Sequence, residues 1–147
     1  MALVKHILEG KGDEVWSVAP NSTVYDALVM MAVKNVGALM VKDGDDFVGV
    51  FSERDYARKI ILKGKTSLNT PLREIMTRET ITVHPDTTIE ESMELMTHWH
   101  IRHLPVMDEG RLVGMVSMRD IVEAIISLKD KTIEDLETYI LSEGYAQ

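Results

Sequence analysis

The 147-residue sequence has no cysteine, four prolines and few aromatic residues, which make up 5% of the chain. The lack of cysteine excludes disulfides, thiolate metal ligands and cysteine nucleophiles, and it fits a cytoplasmic protein. No run of about 18 apolar residues is present, so no membrane span is predicted. The net charge is −8, with 24 acidic against 16 basic residues. General nucleic-acid binding requires a basic surface and is therefore not expected.

The most informative feature that the sequence does contain is an internal repeat. Residues 15–61 and 80–126 align without a gap at a shift of 65 positions, so that Val18 matches Val83 and Pro20 matches Pro85. A repeat of this length is one supersecondary unit used twice. The two copies are expected to pack into one pseudo-symmetric body, with the functional site between them.

Each copy has the pattern of strand, helix, strand, strand, helix. In the first copy the predicted strands are 16–18, 38–41 and 47–51, and the helices are 24–36 and 52–62. In the second copy the strands are 82–83, 104–107 and 112–116, with a helix from 89 to about 98 and another opened by Ser117. Thr23 and Thr88 are predicted N-caps, and Gly37 is the predicted end of the first helix.

The repeats divide the chain into five predicted segments. Residues 1–14 lead in with a short helix over 2–8, residues 15–62 form the first repeat, and residues 63–79 form a linker containing a short helix from Thr70. Residues 80–128 form the second repeat, and 129–147 hold a terminal helix expected from Thr132 to Leu141. The apolar stripe of this helix is expected to pack on its own body or, alternatively, across a dimer.

The strongest local motif is Gly-Val-Phe-Ser-Glu-Arg-Asp at 49–55, repeated as Gly-Met-Val-Ser-Met-Arg-Asp at 114–120. A helix N-terminus attracts anions, arginine binds phosphate, and a carboxylate can accept hydrogen bonds from both ribose hydroxyls. The constellation therefore suits a ribonucleotide. Ser-x-x-Asp is also a capping box that needs no ligand, and this structural interpretation stays open at this stage.

A second signal is the run from Ile101 to Val106, which places Arg102 and His103 at the start of a strand. The equivalent positions in the first copy, Gly37 and Ala38, carry no charge, so the repeats differ in their capacity to bind phosphate. A metal site at His98, His100 and His103 is not expected, because the helix should end before the third histidine. No catalytic motif is present, so an enzyme is not predicted.

At these motifs the chain resembles the cystathionine-β-synthase (CBS) domain family, whose domains occur in tandem as a Bateman module. The resemblance rests on the two Gly-x-x-Ser-x-Arg-Asp motifs and the His-x-Ile-Arg-His-Leu-Pro-Val run, and it covers nearly all of 15–126. It implies an α+β fold of two β-α-β-β-α units related by a pseudo-two-fold axis, with sheets packed together and helices outside. It also implies a non-catalytic regulatory module, commonly dimeric, without a catalytic cofactor.

The resemblance further implies two clefts, each drawing on both repeats. The first would contain Ser52, Arg54, Asp55, Thr80, Thr82, Ile101, Arg102 and His103. The second would contain Val15, Ser17, Val36, Gly37, Ala38, Ser117, Arg119 and Asp120. The expected ligands are AMP, ADP or ATP, with NAD(H) and S-adenosylmethionine as further candidates, and the regulated partner is a separate protein. The alternative is a structural or dimerisation module without a physiological ligand.

Overall fold

The computed structural model describes residues 2–12 and 14–144, with only the backbone of residues 143 and 144. Met1 and Asp13 of the predicted leading segment, and 145–147 of the predicted terminal segment, lie outside the described residues. The helices are α1 (Val4–Lys11), α2 (Val24–Lys34), α3 (Glu53–Asp55, continued by π-helical Tyr56–Ile61), α4 (Ile89–Trp99) and α5 (Met118–Gly144). The strands are β1 (Ser17–Val18), β2 (Ala38–Asp43), β3 (Asp46–Ser52), β4 (His103–Asp108) and β5 (Arg111–Ser117).

The two repeats form the predicted α+β units, each built around an antiparallel hairpin. β2 pairs with β3 and β4 pairs with β5 in the same register, and Ala38 opposite Ser52 corresponds to His103 opposite Ser117. β1 adds to the first sheet in parallel to β2. The equivalent segment of the second repeat makes a single parallel bridge between Val83 and Val106.

The predicted strand at 82–83 is reduced to a bridge by a proline. In the first repeat the amide of Met40 donates to the carbonyl of Trp16 over 3.1 Å. Pro105 occupies the position equivalent to Met40, and proline has no amide hydrogen to donate. The second sheet therefore loses one hydrogen bond at this point, and its first strand is correspondingly shorter.

The first helix of each repeat ends at a left-handed residue that is not glycine. Asn35 closes α2 in the left-handed conformation at φ 55°, and His100 closes α4 at φ 54°. The prediction that Gly37 stops the first helix was wrong, because asparagine tolerates this conformation and reaches it two residues earlier. The predicted N-caps are confirmed, since Thr23 accepts from the amide of Asp26 and Thr88 forms a reciprocal capping box with Glu91.

Two arms of the chain, residues 2–8 and 70–76, occupy equivalent places on opposite repeats. Val4 donates to the carbonyl of Thr87 in the second repeat, and Leu72 donates to the carbonyl of Ser22 in the first. Both Val4 and Leu72 are fully buried. Residues 2–8, which precede the first repeat, therefore contribute to the core of the second repeat. Residues 70–76, which precede the second repeat, contribute to the core of the first.

The last helix differs from its prediction. α5 runs without a break from Met118 to Gly144, so Thr132 is an interior residue whose hydroxyl donates to the carbonyl of Leu128 over 2.9 Å. The expected separate helix starting at Thr132 was wrong, because Thr132 continues the existing helix. Its apolar stripe, expected either on the chain's own body or across a dimer, is exposed: Ile133 is 55% and Leu136 57% exposed.

β2 is buried on both faces, which shows how the repeats meet. Leu39 and Val41 belong to the core of the first repeat, and Ala38 and Met40 on the opposite face are also buried. Alternate side chains of a strand point to opposite faces. The neighbouring strand β3 contacts β5 of the second repeat, which places the second face of this sheet toward the other repeat. None of the helices in the described part of the chain combines the length and the apolar character needed to cross a bilayer.

Candidate functional site

Both Ser-x-x-Asp motifs form tight turns at the start of a helix. The amide of Ser52 donates to Asp55 Oδ2 over 2.9 Å, and the amide of Asp55 donates to Ser52 Oγ over 3.3 Å. The second motif repeats this arrangement at 2.8 Å and 3.1 Å between Ser117 and Asp120. The structural interpretation of the motif is therefore realised in both copies, and each aspartate is fixed in orientation by its own turn.

Asp55 is buried, with 7% of its surface exposed, and receives donors on both oxygens. Oδ2 accepts from the amide and the hydroxyl of Ser52, and Oδ1 accepts from the Thr77 hydroxyl at 3.1 Å. The Lys59 ammonium lies 3.1 Å from the same Oδ1. A carboxylate offers about four acceptor positions, so those of Asp55 are already occupied by protein donors.

Asp120 has different surroundings, although its turn is the same. The Lys11 ammonium, from α1, lies 2.7 Å from Oδ2 and also donates to the Met115 carbonyl over 3.0 Å. Burial by itself raises the pKa of Asp120, but hydrogen bonds from Lys11 and Ser117 and the charge of Lys11 outweigh it and hold this pKa below its usual value. Among residues 2–12 and 14–144, the donors to this carboxylate all approach Oδ2, and none approaches Oδ1.

His103 lies where the two repeats meet. A Cβ atom on Gly37 would lie 3.5 Å from His103 Cε1 and 3.8 Å from the Glu53 carboxylate, so the ring contacts the first repeat. Burial lowers the pKa of His103 below 6.5; the charge of Asp120 opposes this, and those of Lys11 and Arg102 reinforce it. The histidine predicted for the first cleft is thus close to Gly37 and Asp120, both predicted for the second.

The other predicted residues differ in how far they are buried. In the first cleft, Thr80, Ile101 and Ser52 are partly buried and Arg54, Thr82 and Arg102 are exposed. In the second, Ala38 is buried, Val15, Ser17, Val36, Gly37 and Ser117 are partly buried, and Arg119 is exposed. Asp55 contacts Thr77, three residues before Thr80, and Asp120 contacts Lys11, four residues before Val15. Each aspartate therefore faces the segment that leads into the opposite repeat.

Two surface cavities overlap the predicted clefts by single residues. One, of about 840 Å³, lies between α4 and residues 82–84 and includes Thr82. The other, of about 640 Å³, lies between α1 and α5 and includes both Lys11 and Asp120. The second cavity gives the Lys11 side chain open space on one side.

The three histidines considered as metal ligands are separated by the end of α4. His98 packs edge-on against Trp99, His100 is the left-handed residue that closes the helix, and His103 points into the repeat interface. Across the described ranges, 2–12 and 14–144, no three histidine or acidic side chains are grouped as a metal ion would require.

A family profile described as "CBS domain" matches residues 11–62 and 72–127, which together cover both repeats. The chain belongs to the CBS domain family. The duplicated capping turns are thus the equivalent motifs of two CBS domains in tandem, and the prediction from the sequence motifs is confirmed at the level of family and fold.

Similar CBS proteins are known from plants and bacteria. The chain is 42% identical over 134 residues to "CBS domain-containing protein CBSX3, mitochondrial" of Arabidopsis thaliana, with 88% of this chain and 65% of the relative covered. The chain therefore spans somewhat less than two thirds of that relative's length. A solved protein with CBS domains from Burkholderia ambifaria is 43% identical with a TM-score of 0.83, covering 86% of this chain and 95% of the other.

One structural relative contains adenosine compounds. The CBS domain pair of protein MJ0100, solved in complex with 5′-methylthioadenosine and S-adenosyl-L-methionine, is 28% identical with a TM-score of 0.74. The match covers 84% of this chain and 99% of that pair. Tandem CBS pairs of this kind are regulatory ligand-binding modules.

The sequence motifs did not identify Lys11, Lys59 or Thr77 as neighbours of the aspartates. Lys59 could have been found, because it lies four residues after Asp55 and such pairs meet on a helix. Its counterpart in the second repeat is Ala124, so that copy has no equivalent lysine. Lys11 is distant in sequence, and only the packing of α1 on the second repeat brings it to Asp120.

Proposed function

We propose that this protein is a non-catalytic sensor that binds adenine nucleotides in the two clefts between its CBS repeats and regulates a separate partner. The observation that carries the proposal is the position of the two aspartates. Each lies at a helix start in one repeat and faces the segment that leads into the other repeat. A ligand bound to either carboxylate would therefore contact both repeats and report on their relative position.

The adenosine part of the ligand is supported by chemistry and by one relative. A carboxylate held rigidly at a cleft can accept hydrogen bonds from the two vicinal hydroxyls of a ribose. The MJ0100 pair binds two compounds that share an adenosine group. AMP, ADP, ATP, NAD(H) and S-adenosylmethionine all contain this group, and the basic residues of each cleft would select among them by phosphate charge.

A structural or dimerisation role without a ligand is favoured by one specific observation. Both Ser-x-x-Asp motifs already form capping turns, and protein donors occupy both oxygens of Asp55. A ribose would have to displace the Thr77 hydroxyl or the Lys59 ammonium from Oδ1. If the turns are only caps, the adenine compounds will not bind.

Calorimetry with AMP, ADP, ATP, NADH and S-adenosylmethionine separates these two functions. A ligand at about 100 times its dissociation constant should also raise the free energy of unfolding by about 2.7 kcal/mol. Asp55→Ala should weaken binding in the first cleft about tenfold or more, because it removes both acceptors and a charged hydrogen bond contributes about 1.5–3 kcal/mol. Unchanged affinity in folded Asp55→Ala would refute its assignment to the ribose.

The matched control is Thr88→Ala, which removes a capping box of the same kind at the start of α4. Loss of a cap lowers the free energy of unfolding by about 1 kcal/mol, in either variant. Thr88→Ala should therefore lower stability and leave nucleotide affinity unchanged. If both variants lower the affinity equally, the effect of Asp55→Ala is one of stability. Nucleotide recovered unchanged after incubation is the expected result for a non-catalytic module.

A further inference from the structure

The two aspartates have the same position in their repeats but different partners: Asp55 contacts Thr77 and Lys59, whereas Asp120 contacts Lys11. In the first repeat, Thr77 donates its amide to the Val50 carbonyl over 2.9 Å and its hydroxyl to Asp55 over 3.1 Å. In the second repeat, the Lys11 ammonium donates to the equivalent carbonyl, that of Met115, and to the equivalent aspartate, Asp120, where it contacts Oδ2 and not the Oδ1 that Thr77 contacts in Asp55. One cation thus replaces two neutral donors.

A local insertion makes this replacement possible. The arms that pack on the two repeats align at Leu8 and Met76, yet seven positions separate Leu8 from Val15 and only four separate Met76 from Thr80. The three additional residues let α1 continue to Lys11, where the linker arm has only a short 3₁₀ turn. The insertion therefore places a lysine side chain beside Asp120.

Lys11 is the cation that the second cleft otherwise lacks at its strand start. Gly37 and Ala38 carry no charge, and burial holds the pKa of His103 below 6.5. Lys11 is not packed on all sides, because it lines the cavity of about 640 Å³ between α1 and α5 together with His6 and Glu123. Its ammonium can leave Asp120 without displacing a buried side chain.

We propose that Lys11 is the specificity-determining residue of the second cleft and makes that cleft select charged over uncharged adenine ligands. This inference rests on the proposed nucleotide-binding function. With an uncharged nucleoside the ammonium stays on Asp120 Oδ2 and blocks one of the two oxygens that a ribose diol needs. With a phosphorylated ligand the ammonium moves to the phosphate, so that both carboxylate oxygens become available and the anion gains a partner.

The test measures adenosine and ADP affinities by calorimetry in an Asp55→Ala background, which weakens the first cleft so that the tighter binding event reports on the second cleft. Lys11→Met keeps the length of the side chain and removes its charge. The ratio of the adenosine dissociation constant to the ADP dissociation constant should fall about tenfold, the effect of one charged hydrogen bond. Lys5→Met is the control, because Lys5 lies on the same helix and pairs with Asp86 at the surface. The ratio of the two dissociation constants should not change in this variant.

Each other outcome has a defined meaning. If wild-type protein binds neither ligand, the nucleotide-binding function and this inference fail together. If wild-type protein binds but Asp55→Ala binds neither ligand, the second cleft is not a site, and only this inference is overturned. An unchanged ratio in Lys11→Met, or an equal fall in Lys5→Met, would likewise overturn the role of Lys11 while the proposed function stands.

Discussion

At the scale of single residues, identical motifs acquired different chemistry from their neighbours. Asp55 and Asp120 form the same capping turn, but only Asp120 has an oxygen that no recorded donor from the described ranges approaches. Sequence alone predicted the richer phosphate site at Arg102 and His103. The structure adds Lys11 to the opposite cleft and places His103 close to Asp120. Charge is therefore distributed between the clefts more evenly than the motifs suggest.

Arg102 remains the predicted phosphate residue of the first cleft. It is exposed at the start of β4, where its carbonyl accepts from the amide of Met118 over 2.8 Å and its side chain extends outward. Arg102→Ala in an Asp120→Ala background should weaken AMP binding about tenfold and adenosine binding little, because the guanidinium binds only the phosphate. Calorimetry with both ligands checks this. Equal losses would show that Arg102 shapes the cleft and does not hold phosphate.

His103 should make stability depend on pH. Burial lowers the pKa of His103 in the folded state below the ordinary value of 6.5, despite the opposing charge of Asp120 and with reinforcement from Lys11 and Arg102. As pH falls through about 6.5, the unfolded chain binds a proton before the folded protein does, so the free energy of unfolding should fall. Any strengthening of anion binding by protonated His103 should accordingly occur below this pH.

The measurement is urea unfolding of wild type and His103→Gln between pH 7.5 and 5.5. The wild type should lose stability relative to the variant as the pH is lowered, since glutamine does not titrate. Parallel curves for the two proteins would contradict the lowered pKa. Asp120, by contrast, should affect the pH dependence of the free energy of unfolding only below the ordinary pKa of an aspartate. The contacts with Lys11 and Ser117 lower the pKa of Asp120.

At the scale of elements, the two arms, residues 2–8 and 70–76, pack against glycines at equivalent positions of the two repeats. Gly49 on β3 faces the linker arm, and Gly114 on β5 faces α1. A Cβ on Gly49 would lie 2.6 Å from the Thr77 carbonyl oxygen, whereas one on Gly114 would lie 2.7 Å from a terminal carbon of Leu8. A backbone atom held in a bridge cannot move away as readily as the end of a flexible side chain.

Gly49→Ala should consequently destabilise the protein by about 2–3 kcal/mol, the upper part of the range for overpacking. It forces apart the bridge between Val50 and Thr77, which also orients the Thr77 hydroxyl toward Asp55. Gly114→Ala is the matched variant and should cost about 1 kcal/mol, because Leu8 can change rotamer. Chemical denaturation of both variants checks the order, and a larger loss for Gly114→Ala would contradict it.

At the scale of the whole molecule, apolar helix surface is left exposed at equivalent positions of the two repeats. Ile61 at the end of α3 is 57% exposed and its counterpart Ile126 on α5 is 52% exposed. The neighbouring isoleucines face inward, since Ile60 lies in the core of the first repeat and Ile125 is partly buried. Exposed apolar surface of this kind is typical of protein interfaces.

We expect a two-fold homodimer that covers Ile61 and Ile126. Light scattering should report a dimer at tens of micromolar, about the concentration range in which a specific interface persists. The double variant Ile61→Glu/Ile126→Glu should be monomeric, since the interface would bury two unpaired charges. Leu68→Glu changes an equally exposed apolar residue of the linker and should leave the dimer intact. A monomeric wild type at this concentration would contradict the expected assembly.

The sequence by itself determined the repeated unit and its local chemistry. The helix starts at Thr23 and Thr88 and the capping turns at Ser52 and Ser117 follow from hydrogen bonds between residues three positions apart. Such contacts depend on residue types at short spacing, and the repetition makes each pattern visible twice. The loss of a strand hydrogen bond at Pro105 also follows from the residue alone.

Only the tertiary structure decided what each aspartate contacts. The arm that begins the chain packs on the second repeat, so Lys11 reaches Asp120 across 109 positions of sequence, and no local pattern encodes that distance. His103 lies close to Gly37 for the same reason, because contacts between β3 and β5 bring the two repeats together. The two Ser-x-x-Asp turns are formed by neighbouring residues and can be read from the sequence. The charged side chain beside each aspartate belongs to a distant segment, and the packing of that segment depends on the whole fold.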